Sequence, residues 1–208
     1  MVSVILVPQG AEYQAVYQGI QAKVNPPKVI AIPAGGAAMR QIDRFFEATE
    51  VLVMGLCGSL SPELKVGTIA LYRACVDFSG QMKACDHAFT QRLQAQLQVS
   101  PVLGLTSDRV ICSAIEKREL GKTYGAEVVD MEGFAILSNL RVAMLRVVSD
   151  DLQGDLPNLS NVIDANGKIQ SIPMAKAMIQ RPIAAGRLIR GSLTGLRKLR
   201  QLAAELPE

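Results

Sequence analysis

Short runs of β-branched residues alternate with amphipathic stretches of helical length along most of the chain. This pattern is typical of a sheet whose two faces are covered by helices. The predicted strands are 2–7, 29–32, 51–56, 68–75, 102–105, 127–129 and 142–148. The predicted helices are 12–23, 37–48, 87–98, 113–123 and 131–139. We therefore predict an α/β fold with a single three-layer domain, in which a mixed central sheet is flanked by helices on both faces.

The pattern changes after Asp150. Residues 151–173 are rich in Asp, Asn, Gly and Pro, which predicts a long loop. From Arg187 onward, apolar residues recur at helical spacing with basic residues between them, which predicts an amphipathic helix. These apolar residues are Ile189, Leu193, Leu196, Ala203 and Leu206. We treat 1–175 as the body of the domain and 176–208 as its basic, amphipathic helical extension.

Composition and charge exclude several classes of protein. Hydrophobic residues make up 49% and charged residues 20% of the 208 residues, so a large core is expected and disorder is not. Aromatic residues are only 4%, which argues against a sheet that stacks RNA bases. From Lys176 onward there are seven basic and two acidic residues, whereas the preceding part has 15 basic and 17 acidic residues. The body has no basic stripe, so we expect no nucleic-acid partner.

The scarcity of histidine restricts the chemistry. His87 is the single histidine, and it precedes a predicted helix with no motif around it, so we predict no catalytic role for it. Zinc sites and Ser-His or Cys-His catalysis are correspondingly disfavoured, and we predict no metal and no cofactor. The four cysteines form no C-x-x-C pair and no signal peptide is evident, which predicts a reduced, cytoplasmic protein. The longest apolar stretches are also far shorter than the roughly 20 residues of a membrane span.

Polar residues at the ends of predicted strands are the candidates for chemistry, because open α/β sheets bind ligands there. Four segments qualify: 8–12, 55–60, 129–133 and 149–151. Three of them carry acidic residues, and the other carries glycines. Taken alone, Glu132 and Asp150 are better explained as charges at a helix start, and Asp130 is a good candidate for such a cap.

Taken together, these segments are more specific. The stretches VLVMGLCGSLSPELKVGTIALY, GAEVVDMEGFAI and LRVVSDD occur in this order. In this respect the chain resembles the nucleoside phosphorylase and nucleosidase superfamily, which includes purine nucleoside phosphorylases and methylthioadenosine/S-adenosylhomocysteine nucleosidases. The stretch TSDRVICSAIEKRELGKTYGAEVVDMEG, with the DLPNL segment and the basic extension, is most similar to hopanoid-associated phosphorylases. That branch implies adenosylhopane, a lipid-linked adenosine, as substrate.

The resemblance implies cleavage of the N-glycosidic bond of a purine nucleoside, with 1–175 as the catalytic part. Glu132 would accept hydrogen bonds from the ribose hydroxyls, and Asp150 would deliver a proton to the purine ring as general acid. Met131 would pack beneath the ribose, although an ordinary core methionine is a comparable interpretation. Gly35 and Gly36 would approach the ribose, with a plain turn as the alternative.

The nucleophile is either water or phosphate. In a nucleosidase a carboxylate after the first strand activates water, and Glu12 lies where that residue is expected. A phosphorylase needs a hydroxyl within the glycine turn of Gly55 and Gly58, where this chain has Leu56 and Cys57. Other phosphate-binding candidates are Ser59, Arg40 and Arg109. The missing hydroxyl favours water.

Recognition of the base is less clear from the residues. Where related nucleosidases have an aromatic residue that stacks on the purine, this chain has Val110. Phe134 and Phe78 are the candidate substitutes, with a buried helix residue as the alternative for Phe134.

Partners and alternatives remain open. The resemblance implies a homodimer or a higher homo-oligomer, and the basic extension is also typical of a helix that contacts anionic lipid. The alternatives are a phosphorylase of soluble nucleosides, a non-catalytic nucleoside-binding protein of the same fold, and an extension that simply packs its leucines on the domain.

Overall fold

The structure is a computed structural model that describes residues 2–33, 35, 50–137, 141–159, 162 and 170–206. The strands are β1 (Val4–Pro8), β2 (Lys28–Ile32), β3 (Val51–Ser59), β4 (Ile69–Val76), β5 (Met82–Ala84), β6 (Val102–Thr106), β7 (Val128–Asp130) and β8 (Val142–Asp150). The helices within the described ranges are α1 (Ala11–Ile20), α2 (His87–Leu97), α3 (Ala114–Tyr124), α4 (Gly133–Ile136), α5 (Ser171–Gln180) and α6 (Pro182–Glu205).

The eight strands form one mixed sheet that partly closes on itself. Strand β3 pairs with β8, β8 with β4, β4 with β6, β6 with β7, and β7 again with β3. Strands β1 and β2 extend this ring from β3 with parallel pairing, and β5 adds an antiparallel edge to β4. The predicted α/β class and mixed sheet are therefore confirmed, and the closure brings the ends of β3, β7 and β8 close together.

Side chains that alternate along the central strands form two cores. On β8, Leu145 and Val147 pack with α1, α2 and α6, whereas Met144 and Val148 belong to a second cluster that includes Ile136 of α4. Because neighbouring side chains on a strand point to opposite faces, this division places helices on both sides of the sheet. Arg146 lies on the same face of β8 as Met144 and Val148, among apolar neighbours.

Helix α6 packs against α1 and against the sheet, and it approaches the end of β8 closely. A Cβ at Gly191 would lie 2.0 Å from the backbone oxygen of Ser149, so only glycine permits this approach. The predicted apolar stripe of this helix is partly wrong: Leu206 and Ala203 are buried, but Ile189 and Leu193 are 51% and 49% exposed. Gly191, Gly195, Leu199 and Leu202 form the buried face instead.

Four elements differ from the prediction, and each has a local reason. The three-residue β5 is too short to show a period. Helix α5 begins at Ser171, inside the predicted loop, with Pro173 in its first turn, where proline is tolerated. Helix α6 likewise begins at Pro182 rather than at 187. Helix α4 is shorter than the predicted 131–139, and the predicted helix 37–48 lies outside the described residues.

Helix caps follow the sequence closely. Ser113 accepts a hydrogen bond from the backbone N–H of Glu116 at the start of α3, as the S-x-x-E pattern predicts.

His87 is exposed and is the first residue of α2. In the described ranges, no helix has both the length and the hydropathy that a membrane span requires.

Candidate active site

A cavity of about 600 Å³ lies at the ends of β1, β3, β7 and β8. This volume is in the range of small-molecule sites. Six of the predicted catalytic and nucleoside-binding residues contribute to its wall: Glu12, Gly58, Val110, Met131, Glu132 and Asp150. The structure therefore brings the three carboxylates from separate parts of the chain together around one space.

Other predicted residues lie behind the wall or away from it. The backbone N–H of Gly35 donates a hydrogen bond of 2.9 Å to Glu132 Oε1, so Gly35 positions that carboxylate. Gly55 lies behind the wall, and a Cβ there would be 2.8 Å from Glu12 Oε1. Phe134 does not line the cavity; Lys83 Nζ lies 4.2 Å from its ring centroid. Gly36 lies outside the described residues.

The candidates for phosphate and base binding are also divided. The Ser59 hydroxyl is buried and donates to the backbone oxygen of Ser61, away from the cavity. Arg109 lines the cavity but pairs with Glu116. Phe78 packs edge-on against Tyr124 and does not contribute to the wall. Arg40 lies outside the described residues.

Arg146 is a site residue that the sequence reasoning missed. Its side chain is completely buried, with Nη2 at 3.1 Å from Glu132 Oε2 and 3.5 Å from Asp130 Oδ2. Nη1 donates to the backbone oxygen of Leu56 at 3.4 Å. Burial alone would lower the pKa of Arg146, but the charges of Asp130 and Glu132 outweigh it and raise the pKa further. The guanidinium is therefore a permanent positive charge beneath the cavity.

The signal for Arg146 was present in the strand itself. The run Val142–Val148 is apolar except at this position, and a strand buried on both faces reads as a continuous apolar run. An arginine inside such a run is buried and needs a carboxylate partner.

Glu12 lies in the first turn of α1, held against the end of β3. Its Oε1 accepts a hydrogen bond of 2.6 Å from the backbone N–H of Leu56. Burial raises the pKa of Glu12 to about 7, although the Leu56 hydrogen bond and the charge of Arg146 act in the opposite direction. Glu12 is half-buried, and a carboxylate with a pKa near neutrality is suited to accept and release a proton.

Glu132 precedes α4 and is fixed by two donors. Gly35 N–H donates to Oε1 and Arg146 donates to Oε2. Burial raises the pKa of Glu132, with Arg146 acting to lower it and Asp130 to raise it. A carboxylate oxygen can accept more than one hydrogen bond, and Glu132 lines the cavity, so this carboxylate has capacity left for the hydroxyls of a ligand.

Asp130 has the capping role that the sequence predicted. Its Oδ1 accepts from the backbone N–H of Gly133 at 3.0 Å and from the Thr106 hydroxyl at 2.9 Å. It also neutralises part of the charge of Arg146. Asp130 is therefore a structural anchor in the cavity wall.

Asp150 is the last residue of β8, and it lines the cavity. Its Oδ2 lies 2.8 Å from the Ser149 hydroxyl, which is also 3.2 Å from the backbone oxygen of Cys57. Its Oδ1 pairs with the ammonium of Lys117. A Cβ at Gly58 would lie 2.9 Å from Oδ1, so the glycine leaves room for this carboxylate.

In the described part of the chain, no group of three or more His, Cys, Asp or Glu side chains is arranged to hold a metal ion. All four cysteines are free thiols. The charged groups in the cavity wall include the carboxylates of Glu12, Asp130, Glu132 and Asp150 and the buried guanidinium of Arg146. The ammonium of Lys117 lies behind the wall, where it pairs with Asp150.

Comparison with known proteins relates this arrangement to a family. No curated protein matches the chain by sequence at a significant level. The structure is similar to the Helicobacter pylori nucleosidase MTAN with 5′-methylthioadenosine in its active site, at 14% identity and a TM-score of 0.65, with 98% of each chain covered. Futalosine hydrolase of the same organism is similar at 14% identity and a TM-score of 0.66, covering 98% of this chain and 97% of that one.

A third similar structure is that of a putative 5′-methylthioadenosine/S-adenosylhomocysteine nucleosidase from Francisella philomiragia. Its identity is 16% and its TM-score 0.68, with 95% of this chain and 94% of that chain covered. At these identities the likeness establishes the fold. The model of the phosphorylase superfamily matches residues 31–179, which span most of the sheet and three of the four cavity segments. The chain therefore belongs to the phosphorylase superfamily, a family of enzymes.

Proposed function

We propose that the protein hydrolyses the N-glycosidic bond of a purine nucleoside and releases adenine, with water as the nucleophile. One observation carries the proposal: Glu12, Glu132 and Asp150 line a single cavity, and the carboxylate of Glu12 has a pKa of about 7. Cleavage of this bond develops positive charge on the sugar and negative charge on the base. Separate carboxylates are suited to orient the sugar, activate the nucleophile and protonate the base.

Glu12 is the base that takes a proton from water. The Leu56 N–H and the neighbouring Arg146 hold the carboxylate in place, and burial raises its pKa, which makes it a stronger base. Glu132 accepts hydrogen bonds from the ribose hydroxyls and places negative charge near the developing cation. Asp150 delivers the proton to the purine ring as the base departs. Met131 packs beneath the ribose.

Water is favoured over phosphate because the glycine turn offers no hydroxyl to the cavity. Leu56 and Cys57 form that part of the wall, and the Ser59 hydroxyl is directed to Ser61. A phosphate ion would also be repelled by the carboxylate of Glu12.

The direct test is to incubate the protein with adenosine and with 5′-methylthioadenosine, with and without inorganic phosphate, and to identify the sugar released. We expect adenine and a free sugar at a rate independent of phosphate. Formation of a sugar 1-phosphate would assign phosphorolysis instead and remove Glu12 as the base. Binding of adenine, seen as a rise in Tm, without any turnover of either nucleoside would favour a non-catalytic binding protein.

The pH dependence of turnover tests the role of Glu12. Glu12 must be ionised to accept a proton, and burial raises its pKa to about 7. We therefore expect kcat/KM to fall about tenfold for each pH unit below 7 and to be independent of this group above pH 8. The profile is measured with the nucleoside from pH 5 to 9. An acid limb centred near 4.5 would show that the base is a carboxylate with an ordinary pKa.

A lipid-linked adenosine is the finer substrate that we propose, because α5 and α6 expose large apolar side chains beside arginines. Ile172, Ile179, Ile183, Ile189 and Leu193 are between 49% and 84% exposed. Exposed apolar residues next to Arg181, Arg187 and Arg190 are typical of a helix that contacts anionic lipid.

A homodimer is a separate proposal, which rests on the family resemblance alone.

Vesicle binding tests this contact. Removal of 176–208 is unsuitable because Leu199 and Leu202 belong to the core, so point changes are needed. We expect Ile183→Ser with Ile189→Ser and Leu193→Ser to reduce co-sedimentation with phosphatidylglycerol vesicles by about tenfold. Met82→Ser, at a position 62% exposed on β5, is the matched control and keeps binding unchanged. Equal binding by the triple variant and the unaltered protein would refute the lipid contact.

A further inference from the structure

Lys117 is a buried cation that the proposed reaction has not used so far. It lies on α3 with a side chain that is only 1% exposed, whereas lysine is almost never fully buried without a partner. Its ammonium pairs with Oδ1 of Asp150. Among the described residues, Lys117 is the one cation within ion-pair distance of that carboxylate.

The side chain of Lys117 is buried because it lies on the inner face of α3. Ala114 is three residues earlier and Leu120 three residues later, and both belong to the inner face of α3. An apolar side chain at 117 would therefore continue that face. A buried ion pair adds little stability relative to a hydrophobic residue of similar volume, because both ions lose their hydration. Stability alone thus gives no reason for a lysine at this position.

Both oxygens of Asp150 already face donors. Lys117 donates to Oδ1, and the Ser149 hydroxyl lies 2.8 Å from Oδ2. An oxygen that accepts from a neighbouring donor is placed to receive a proton from it, so the base-protonating step can draw on a donor in contact with Asp150.

The other groups near Asp150 are poor sources. The thiols of Cys57 and Cys112 face it, and burial raises the pKa of both, so they hold their protons tightly. Arg109 pairs with Glu116, and Arg118 donates to the backbone oxygens of Ala114 and Leu152. Lys117 is the donor in contact with the carboxylate.

We propose that Lys117 supplies, through Asp150, the proton that the departing purine receives. This inference rests on the proposed function. As the bond from the sugar carbon to the base nitrogen breaks, its electron pair goes to the purine. Asp150 passes a proton to the purine ring and takes one from the Lys117 ammonium, so the base leaves neutral and Lys117 becomes a neutral amine. The proton that Glu12 takes from water returns to solvent after release, and solvent restores the ammonium. Lys117 does not touch the substrate; it is a positioning residue that acts through Asp150.

The experiment compares two leaving groups in four proteins. Adenosine needs a proton on its base, whereas 7-methyladenosine carries a methyl group on N7 and leaves as neutral 7-methyladenine without one. Rates are measured for the unaltered protein, Lys117→Met, Lys117→Arg and Lys122→Met. Lys122 is exposed on the same helix and serves as the matched control. Far-UV circular dichroism and Tm establish that each variant folds.

We expect Lys117→Met to lower kcat/KM for the ordinary nucleoside by about 10²-fold and for the methylated one by less than about threefold. Lys117→Arg keeps the charge but cannot give up its proton, so it should show the same contrast. Lys122→Met should match the unaltered protein on both substrates. Equal losses on both substrates, or recovery of the ordinary nucleoside by arginine, would assign Lys117 a structural or electrostatic role and overturn the proposal. Unchanged rates in Lys117→Met would also overturn it, whereas an unaltered protein inactive on both nucleosides would refute the proposed function itself.

Discussion

Replacing Glu12 with glutamine is expected to lower kcat by about 10³-fold while raising the stability of the fold. The amide keeps the carbonyl oxygen that accepts from Leu56 N–H, so the geometry at the end of β3 is retained. It cannot accept a proton from water, so the reaction loses its base. The loss should appear in kcat, with KM for the nucleoside changed little.

The gain in stability follows from the raised pKa. Burial raises the pKa of Glu12 from 4.5 to about 7 in the folded protein. Below pH 4.5 the group is neutral in both states and costs nothing. Between pH 4.5 and 7 Glu12 is ionised in the unfolded chain but still largely protonated in the folded protein, so the free energy of unfolding decreases as the pH rises. Above pH 7 Glu12 is ionised in both states, and the full cost of burying its charge is present. Glutamine removes this cost, so Glu12→Gln should raise the free energy of unfolding by up to about 3 kcal/mol at pH 8 and by almost nothing at pH 4.

Urea unfolding at the two pH values and steady-state kinetics at pH 8 measure both effects. Glu119→Gln is the control. It makes the same chemical change at an exposed position of α3 that does not line the cavity. It should leave the rate and the stability unchanged. A Glu12→Gln protein that keeps its turnover would show that another group activates the nucleophile. A protein that loses stability at pH 8 would show that the Glu12 carboxylate is not raised in pKa by burial.

The positions of the strands and of the three cavity carboxylates could be predicted from the sequence because both depend on local patterns. The β-branched runs that form β3 and β8 are continuous in the chain. Glu132 comes two residues after β7, and Asp150 is the last residue of β8. Strand ends that meet at one edge of a sheet carry their polar residues to the same place. The cavity therefore follows from topology once the strands are recognised.

The two buried cations could not be placed in the same way. Arg146 pairs with Glu132, which is 14 positions away, and Lys117 pairs with Asp150, which is 33 positions away. The packing of separate elements therefore decides which carboxylates these cations meet. A pattern of apolar residues shows that a charge is buried but not which partner neutralises it. Arg146 stands out within an apolar strand, whereas Lys117 resembles any lysine of an amphipathic helix until the helix is packed.

The exposed stripe on α6 has a similar cause. Spacing places Ile189 and Leu193 on one face of a helix, but the close approach of Gly191 to the backbone of Ser149 turns the glycine face inward. The small residues therefore decide the orientation of the helix against the end of β8. The larger apolar residues next to them are left on the outside, where they form the surface that the vesicle experiment tests.

Replacing Arg146 with methionine is expected to destabilise the protein by about 3–5 kcal/mol and to abolish turnover. The guanidinium is completely buried and lies 3.1 Å from Glu132 Oε2 and 3.5 Å from Asp130 Oδ2. Methionine fills much of the volume but leaves both carboxylates buried without a cation. Removal of one partner from such a cluster costs far more than removal of an exposed pair.

Arg73→Met is the matched control, because Arg73 pairs with Glu127 at 3.5 Å with 50% of its side chain exposed. Its loss should cost less than about 1 kcal/mol. The free energy of unfolding of each protein is compared at pH 7.5 and at pH 4.5 by urea titration.

The acid measurement separates an electrostatic cost from a packing cost. Arg146 acts to lower the pKa of Glu132, so without it the Glu132 carboxyl is protonated more easily. The deficit of Arg146→Met should therefore shrink as the pH falls, since protonation removes an unpaired buried charge. Glu132→Gln in the Arg146→Met background should recover part of the stability at pH 7.5 for the same reason, without restoring turnover. The loss of stability in Arg146→Met could instead be equal at both pH values and unaffected by Glu132→Gln. That result would mean that Arg146 stabilises β8 by filling space and not by its charge.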